Sequence, residues 1–390
     1  MLPFLERLIG KPKVRHFVAL DVGSNTAIRS LLFDADPVEC VAIEKRQIEL
    51  PARERESDLI PMIGGELHRI LSGYIRRIGR VPDATLIGLG NHFTFNETAV
   101  ASKNRSDPDA PIRAGELSAV FSSFRQEHRE RIVSGARYRL VHLMPFRIRV
   151  DGYPLEALSS RSRGRRIEIP LFATYAKLDY CSSLSSLRAV LGGVRSAFIS
   201  NQAALAATLM TYFALDEALI IKIGAKITEL SLIGQGAILI TGQFDRGGDD
   251  VTRAIARALG VDQKSAERIK CQWGHTRLPE RAHDAVSAAV AGEAERWLEA
   301  FSHFLRQHRR PLLPSQVFLV GGGARLAAIR RLLGTRPWHR GLTIHEALHV
   351  QVLDAARISR RIFRNTQPPL GGTEEVALAA IAGRLIQQYL

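Results

Sequence analysis

Three apolar runs in this chain end in turns built from glycine and small polar residues. Phe17-Val18-Ala19-Leu20 closes at Asp21-Val22-Gly23-Ser24-Asn25-Thr26, and a second apolar run continues to Phe33, which predicts strand, tight turn, strand. Gln316-Val317-Phe318-Leu319-Val320 predicts another strand, closed by Gly321-Gly322-Gly323-Ala324, with a helical pattern from Arg325 to Leu333. Between them, Phe244-Asp245-Arg246-Gly247-Gly248 opens a helix carrying Asp249, Asp250 and Thr252, followed by Lys264, Ala266, Glu267 and Lys270. The middle of the chain is patterned differently. Ala84 to Gly90 predicts a strand leading into a loop, and Ser102 to Pro111 is a polar loop. Gly115 to Arg131 predicts an amphipathic helix with Leu117, Val120, Phe121 and Phe124 on one face. Tyr138 to Asp151 and Arg166 to Tyr175 alternate as strands, the second presenting Ile167, Ile169, Leu171 and Ala173 to one side. The alanines of 288–300 and 377–382 suit close helix packing.

These turns have a chemistry. A carboxylate at a strand end, followed by glycine and three small polar residues, can hold a hydrated divalent cation and offer N–H groups and hydroxyls to phosphate. The same residues also form a hairpin turn that needs no ligand. Three glycines between strand and helix let a backbone come close to a flat or anionic group at the helix N-terminus. No GxGxxG follows the first strand and no GxxxxGK[ST] occurs, which argues against a Rossmann or P-loop chain. Three such turns spread along the chain predict a cleft between two lobes.

The order of these motifs resembles the actin-like ATPase superfamily and, within it, the FtsA family of bacterial division proteins, over residues 16 to 386. The resemblance implies an α/β, two-lobed fold with a duplicated ribonuclease H-like core and an FtsA-type small α+β subdomain. It makes Asp21, Gly23, Ser24, Asn25 and Thr26 the first phosphate loop, Asp21 also a magnesium ligand, and Gly224, Ala225, Lys226 and Thr228 the second. Gly247 and Gly248 would follow, Glu267 and Lys270 would reach ribose and adenine, and Gly321, Gly322, Gly323 and Ala324 would form the adenosine loop. ATP and Mg²⁺ are the implied cofactors. The implied subdomains are 1A at 13–82 and 176–195, 1C at 83–175, 2A at 196–245 and 317–390 with its closing helix, and 2B at 246–316. The resemblance further implies filament formation, docking of the acidic tail of the tubulin-like FtsZ on 2B, and other divisome proteins on 1C. The small subdomain is also similar to that of PilM, a type IV pilus inner-membrane platform protein. The Asp21–Thr26 loop resembles that of exopolyphosphatase-like hydrolases.

Departures from the family pattern bear on the chemistry. The second phosphate loop normally begins with aspartate, and here the position is Lys222, followed by Gly224-Ala225-Lys226-Ile227 in place of a glycine run. Ser200-Asn201-Gln202 lacks the glutamate that orients the attacking water in the family. Anhydride hydrolysis depends on positioned water, metal and charge stabilisation. With only Asp21 and Glu229 remaining as carboxylates, nucleotide binding with slow or absent hydrolysis is expected, and a lysine would contribute charge directly to phosphate.

At the N-terminus, Phe4, Leu5, Leu8 and Ile9 share a helical face preceded by Leu2, with Lys11 off that face in a basic collar and Gly10 and Pro12 as stops. Residues 1–12 therefore predict a short amphipathic helix lying on an anionic membrane surface. Together with the FtsA resemblance, that placement implies a cytoplasmic protein held peripherally on the inner face of the membrane, at the division site. The chain has 54 basic and 39 acidic residues among 390, a net charge of +15. Such an excess attracts phosphates, anionic lipid or acidic peptide. No helix-turn-helix, zinc-finger or RRM-like signature lies near the basic clusters, one of which runs from Arg357 to Arg364, so nucleic acid is not the expected partner. Three cysteines without paired spacing fit a reducing compartment and no structural metal.

Overall fold

The computed structural model describes residues 16–23, 27–48, 59–91, 94–133, 135–178, 195–273, 278–308, 313–340, 342–344, 347–364 and 369–389. The membrane-helix candidates Leu2 to Lys11, and Ser24, Asn25 and Thr26 of the first turn, lie outside them. The chain divides into two compact units. The first comprises Met1–Asp216, Ile233–Thr241 and Ala355–Leu390, and the second Glu217–Leu232 and Gly242–Asp354.

The first unit opens with a meander of β1 (His16–Val22), β2 (Ala27–Ala35) and β3 (Val38–Gln47), each strand antiparallel to the one before. Helix α1 (Leu59–Ile78) follows, with Ile63, Leu67, Ile70, Leu71 and Tyr74 buried at helical spacing against this sheet. Tyr74 places its hydroxyl 2.8 Å from the Ser30 hydroxyl of β2, so the one polar tip on that face is satisfied. β4 (Ala84–Leu89) is buried at every position and lies parallel to β1, and β11 (Arg195–Ser200) adds beyond it, again parallel. The sheet order is β11-β4-β1-β2-β3. A run buried on both faces reads as nearly continuously apolar, as Ala84 to Leu89 does apart from Thr85.

Between β4 and β11 sits the small α+β part: β5 (Thr94–Asn104), α2 (Ala114–Glu127), β6 (Glu130–Val133), β7 (Ala136–Pro145), β8 (Arg149–Val150), β9 (Tyr153–Pro154) and β10 (Arg166–Lys177). β10 is its central strand, antiparallel to β5, β7 and β8. Leu117, Val120 and Phe124 of α2 pack with Ile167, Ile169, Leu171 and Ala173 of β10, the faces that the sequence pattern predicts. The polar loop after β5 is tied down by Arg105. Its guanidinium pairs with Glu116 at 2.8 Å and donates to the carbonyls of Ala110, Pro108 and Gly164. Hydrogen bonds from Arg105 hold the Glu116 carboxyl below its usual range against the opposing effect of burial.

After helix α3 (Asn201–Tyr212) a second sheet contains β12 (Ala218–Ile223), β13 (Thr228–Gly234), β14 (Ala237–Phe244), β15 (Gln316–Val320) and β16 (His349–Val352) in the order β14-β13-β12-β15-β16, with β12, β15 and β16 wholly in the second unit and Ile233–Thr241 of the β13–β14 hairpin in the first. Numbered within each half, both sheets run 3-2-1-4-5, with strands 1, 4 and 5 mutually parallel. The core is duplicated. Helices α4 (Gly248–Leu259), α5 (Gln263–Gln272) and the long α6 (Glu280–Gln307) lie between β14 and β15, and α7 (Ala327–Thr335) between β15 and β16. The chain then contributes α8 (Ala355–Ile362) and α9 (Val376–Tyr389) to the first unit.

Three boundaries differ from expectation, each for a packing reason. β4 pairs with β1, so the small subdomain starts at Thr94 rather than at residue 83. β11 and α3, expected in the second lobe from residue 196, belong to the first unit because β11 completes the first sheet. Residues 355–390, expected to close the second lobe, also join the first unit. There the small residues of α9, buried from Val376 to Ala382, lie against α3, β1 and β4.

Candidate functional site

In the second unit the glycine turns meet. Residues 224–226 form the turn after β12, closed by a hydrogen bond from Gly224 N–H to Ile227 O. Gly248 donates to Gly224 O at 2.9 Å and Asp249 to Ala225 O at 2.8 Å, which fixes the start of α4 against that turn. A Cβ on Gly247 would sit 2.4 Å from Ala225 O, so only glycine permits this approach. On the other side, Gly321 has φ 85° and ψ 170°, a region open essentially to glycine alone, and its Cβ would lie 2.5 Å from Ile223 O. Gly323 packs directly on the Ile223 side chain, Ala324 is buried, and nothing approaches the Gly322 Cβ position within 4 Å. Turns about 100 residues apart in sequence thus share the end of one strand, because β12 and β15 are parallel neighbours that finish together.

Lys270 and Glu267, on α5, reach the same place. Lys270 Nζ donates to Gly248 O at 3.1 Å and to the Thr252 hydroxyl at 2.9 Å, and pairs with Glu267 at 2.6 Å. Burial works against the charged form of Glu267, but hydrogen bonds from Lys270 and Thr252 outweigh it and lower its pKa. Asp249 behaves oppositely: burial raises its carboxyl, with Lys270 opposing. Thr252 is the residue that the sequence motif left without a role. Its only sequence signal was its place one turn after Gly248.

Thr228 is fully buried, and its hydroxyl donates to Arg246 O at 2.7 Å and accepts from Trp297 Nε1 at 2.8 Å, so its hydrogen-bonding groups are used inside the protein. Lys222 is also spoken for. Its ammonium lies 3.1 Å from Glu229 on the adjacent strand, where Glu229 is 3% exposed. The expected phosphate-binding charge of Lys222 is spent inside the protein, and so is one of the two remaining carboxylates. Lys226, at the tip of the turn, is exposed.

In the first unit Asp21 stands at the end of β1, 3% exposed, followed by Gly23. Asn201, the first residue of α3, donates its side-chain N–H to Asp21 at 2.8 Å, and Arg29 Nη1 lies 3.9 Å from the other carboxylate oxygen. An amide hydrogen on one oxygen and a guanidinium near the other already share the Asp21 carboxylate inside the protein. Among the described residues no cluster of three or more His, Cys, Asp or Glu side chains could hold a metal ion. Asn201 was visible in the sequence only as a missing glutamate; that it clamps Asp21 across 180 residues could not be read there.

A separate cavity of about 210 Å³ lies within the first unit, between β7 and α2 on one side and β4, β11 and α9 on the other. Leu86, Phe121, Leu143 and Phe198 supply its apolar part, while most of its lining is polar, with Arg125, His142 and Arg384 among it. Burial, reinforced by Arg384 and Arg125, lowers the pKa of His142 to about 3. A histidine in the unfolded chain takes its proton near pH 6.5, so between these values the unfolded state binds more protons. Stability is therefore expected to fall as pH drops from about 6.5 toward 3, by about 1 kcal/mol per unit. His142→Gln should flatten that slope in urea unfolding measured at pH 7 and pH 5; an unchanged slope would assign it to other groups.

No protein-family model matches the chain. The chain is 29% identical over 133 residues to the cell division protein FtsA of Streptococcus pneumoniae, a match covering 30% of this chain and 29% of that protein. The matched stretch is thus under a third of that relative's length. The structure of a PilM-PilN type IV pilus biogenesis complex superimposes with a TM-score of 0.60 at 17% identity, covering 96% of this chain and 99% of that one. The ethanolamine utilization protein EutJ of Carboxydothermus hydrogenoformans follows at 0.49 and 13% identity, covering 96% of this chain and 91% of that one. The chain has the actin-like ATPase fold expected from its motifs, and over the matched stretch its sequence is similar to FtsA.

Proposed function

We propose that this protein is an actin-like scaffold that holds a nucleotide without fast turnover and tethers the FtsZ division ring to the inner face of the membrane. The observation that carries the nucleotide part is the neutralised pair of carboxylates. Asp21 is held by Asn201 and Arg29, and Glu229 by Lys222. In-line attack on a γ-phosphate requires a positioned water and a metal bridging the phosphates, and both depend on carboxylates free to accept. What remains is a binding surface: the backbone of residues 224–226, 247–248 and 321–324, with Glu267 and Lys270 beside it, suited to a nucleoside phosphate. Sequence similarity to FtsA supports the division role, with filament formation and FtsZ docking on residues 246–316 as its corollaries.

Fluorescent ATP should bind the purified protein equally with Mg²⁺ and with EDTA, and phosphate release should stay at the spontaneous rate. Mg²⁺-dependent phosphate release would overturn this and move the reading toward the exopolyphosphatase-like hydrolases. A peptide copying the acidic FtsZ tail should be retained by the protein, and failure to retain it would remove the division role.

The PilM-like reading has its own observation. The fold match to the PilM-PilN structure covers 96% of the chain, and the largely polar cavity between β7, α2 and β11 offers a place for a short peptide segment. On this reading the protein is a pilus platform that receives the cytoplasmic N-terminal tail of a membrane protein. Blocking the cavity with Leu143→Trp would abolish tail binding there and leave FtsZ-tail binding untouched.

A further inference from the structure

Helix α8 turns its apolar side fully inward. Ala355, Ala356, Ile358, Ser359 and Ile362 are buried, while Arg357, Arg360 and Arg361 are exposed at spacings i, i+3 and i+4. Arg364, just past the helix end, is exposed as well and continues the row one turn on. Side chains three and four apart on a helix are neighbours, so these guanidinium groups stand side by side and repel one another. Arg360, Arg361 and Arg364 have no carboxylate partner among the described residues. The row is also stiffened. Arg357 and Arg361 lie over the Phe213 ring, their guanidinium carbons 5.9 and 5.4 Å from its centre. Stacking holds the planar groups while leaving their N–H edges toward solvent.

A row of exposed guanidinium forks in which Arg360, Arg361 and Arg364 have no carboxylate partner among the described residues fits an array of phosphodiesters. Its surroundings choose among anionic surfaces. The large hydrophobic side chains exposed among the described residues are Val81, Val100, Ile132 and Tyr153, none of them on α8. A protein partner would find charge there without the apolar anchor that carries protein–protein affinity. Single-stranded nucleic acid needs an open aromatic face on which to stack, and Phe213 lies under two arginines. A lipid surface needs neither. The buried apolar face of α8 also prevents the helix from rolling into the acyl region, so the contact is electrostatic.

We propose that the arginine row of α8 is an electrostatic docking face for the phosphate headgroups of an anionic membrane. It rests on the membrane-associated reading above and adds a second contact to it, distinct from residues 1–12.

The test is co-sedimentation of the full-length protein with mixed phosphatidylglycerol–phosphatidylcholine vesicles and with pure phosphatidylcholine vesicles, over a range of salt. Wild type should bind the anionic vesicles and release as salt rises. The variant Arg360→Gln/Arg361→Gln/Arg364→Gln should partition about a hundredfold more weakly. The equally charged control Arg161→Gln/Arg163→Gln/Arg165→Gln, in an exposed loop before β10, should bind as wild type. Circular dichroism melts of both variants should match wild type, since all six side chains are exposed. Wild-type binding that the α8 variant retains would overturn the docking face and leave the membrane reading standing. No binding by wild type would overturn both. Equal loss in the two variants would reduce the effect to net charge, and release of bound protein from vesicles by duplex DNA at equal phosphate would assign the row to nucleic acid; either overturns the proposal.

Discussion

Replacing Gly321 with alanine is expected to destabilise the second unit by about 3 kcal/mol or more, and to remove nucleotide binding with it. The backbone there, at φ 85° and ψ 170°, is open essentially to glycine, and forcing another residue into it costs about 1–3 kcal/mol. The added methyl would lie 2.5 Å from Ile223 O and 3.1 Å from its carbonyl carbon. These are backbone atoms of a buried strand and cannot swing aside. The ends of β12 and β15 would have to separate, and the turn after β12 would shift with them. The readout is direct, because Trp273, Trp297 and Trp338, the chain's 3 tryptophans, all belong to this unit. Urea unfolding followed by their fluorescence should show the loss. Gly322→Ala is the matched control: it has open space at its Cβ position and should stay within about 1 kcal/mol of wild type. A Gly321→Ala protein as stable as that control would mean that the turn is adaptable rather than held by β12.

Lys222→Met should cost about 3 kcal/mol. Removing the ammonium leaves Glu229, 3% exposed, without the charge 3.1 Å away. Breaking a buried pair from one side is far more costly than replacing both members, since one charge is left in a poorly solvated place. Lys222→Met/Glu229→Leu should therefore recover most of the loss, and both variants should leave phosphate release at the spontaneous rate. If the double variant is no more stable than Lys222→Met, the pair is not coupled, and Lys222 regains its candidacy as a phosphate ligand.

Much of the core was legible from local pattern alone. The apolar runs at Phe17–Leu20 and Gln316–Val320, the glycines ending the second, and the helix opening at Gly248 are short-range signals. Strand period, turn chemistry and helix starts are set by neighbouring residues. The faces of α2 and β10 were readable for the same reason. The order of the motifs along the chain was enough to identify the actin-like fold.

The sheet that Ala84–Leu89 joins, and the unit that Val376–Tyr389 closes, were decided only in three dimensions. An apolar run states that it will be buried, not against which partner. The site shows the same division. Asp21, Lys222, Thr228 and Glu229 were all visible as residues with binding chemistry. Whether that chemistry faces a ligand depends on side chains distant in sequence or across a strand pair, as with Asn201 on Asp21 and Trp297 on Thr228. Glycine positions were foretold because they answer to backbone geometry. The partners of buried charges were not, because electrostatic pairing is settled by the assembled fold.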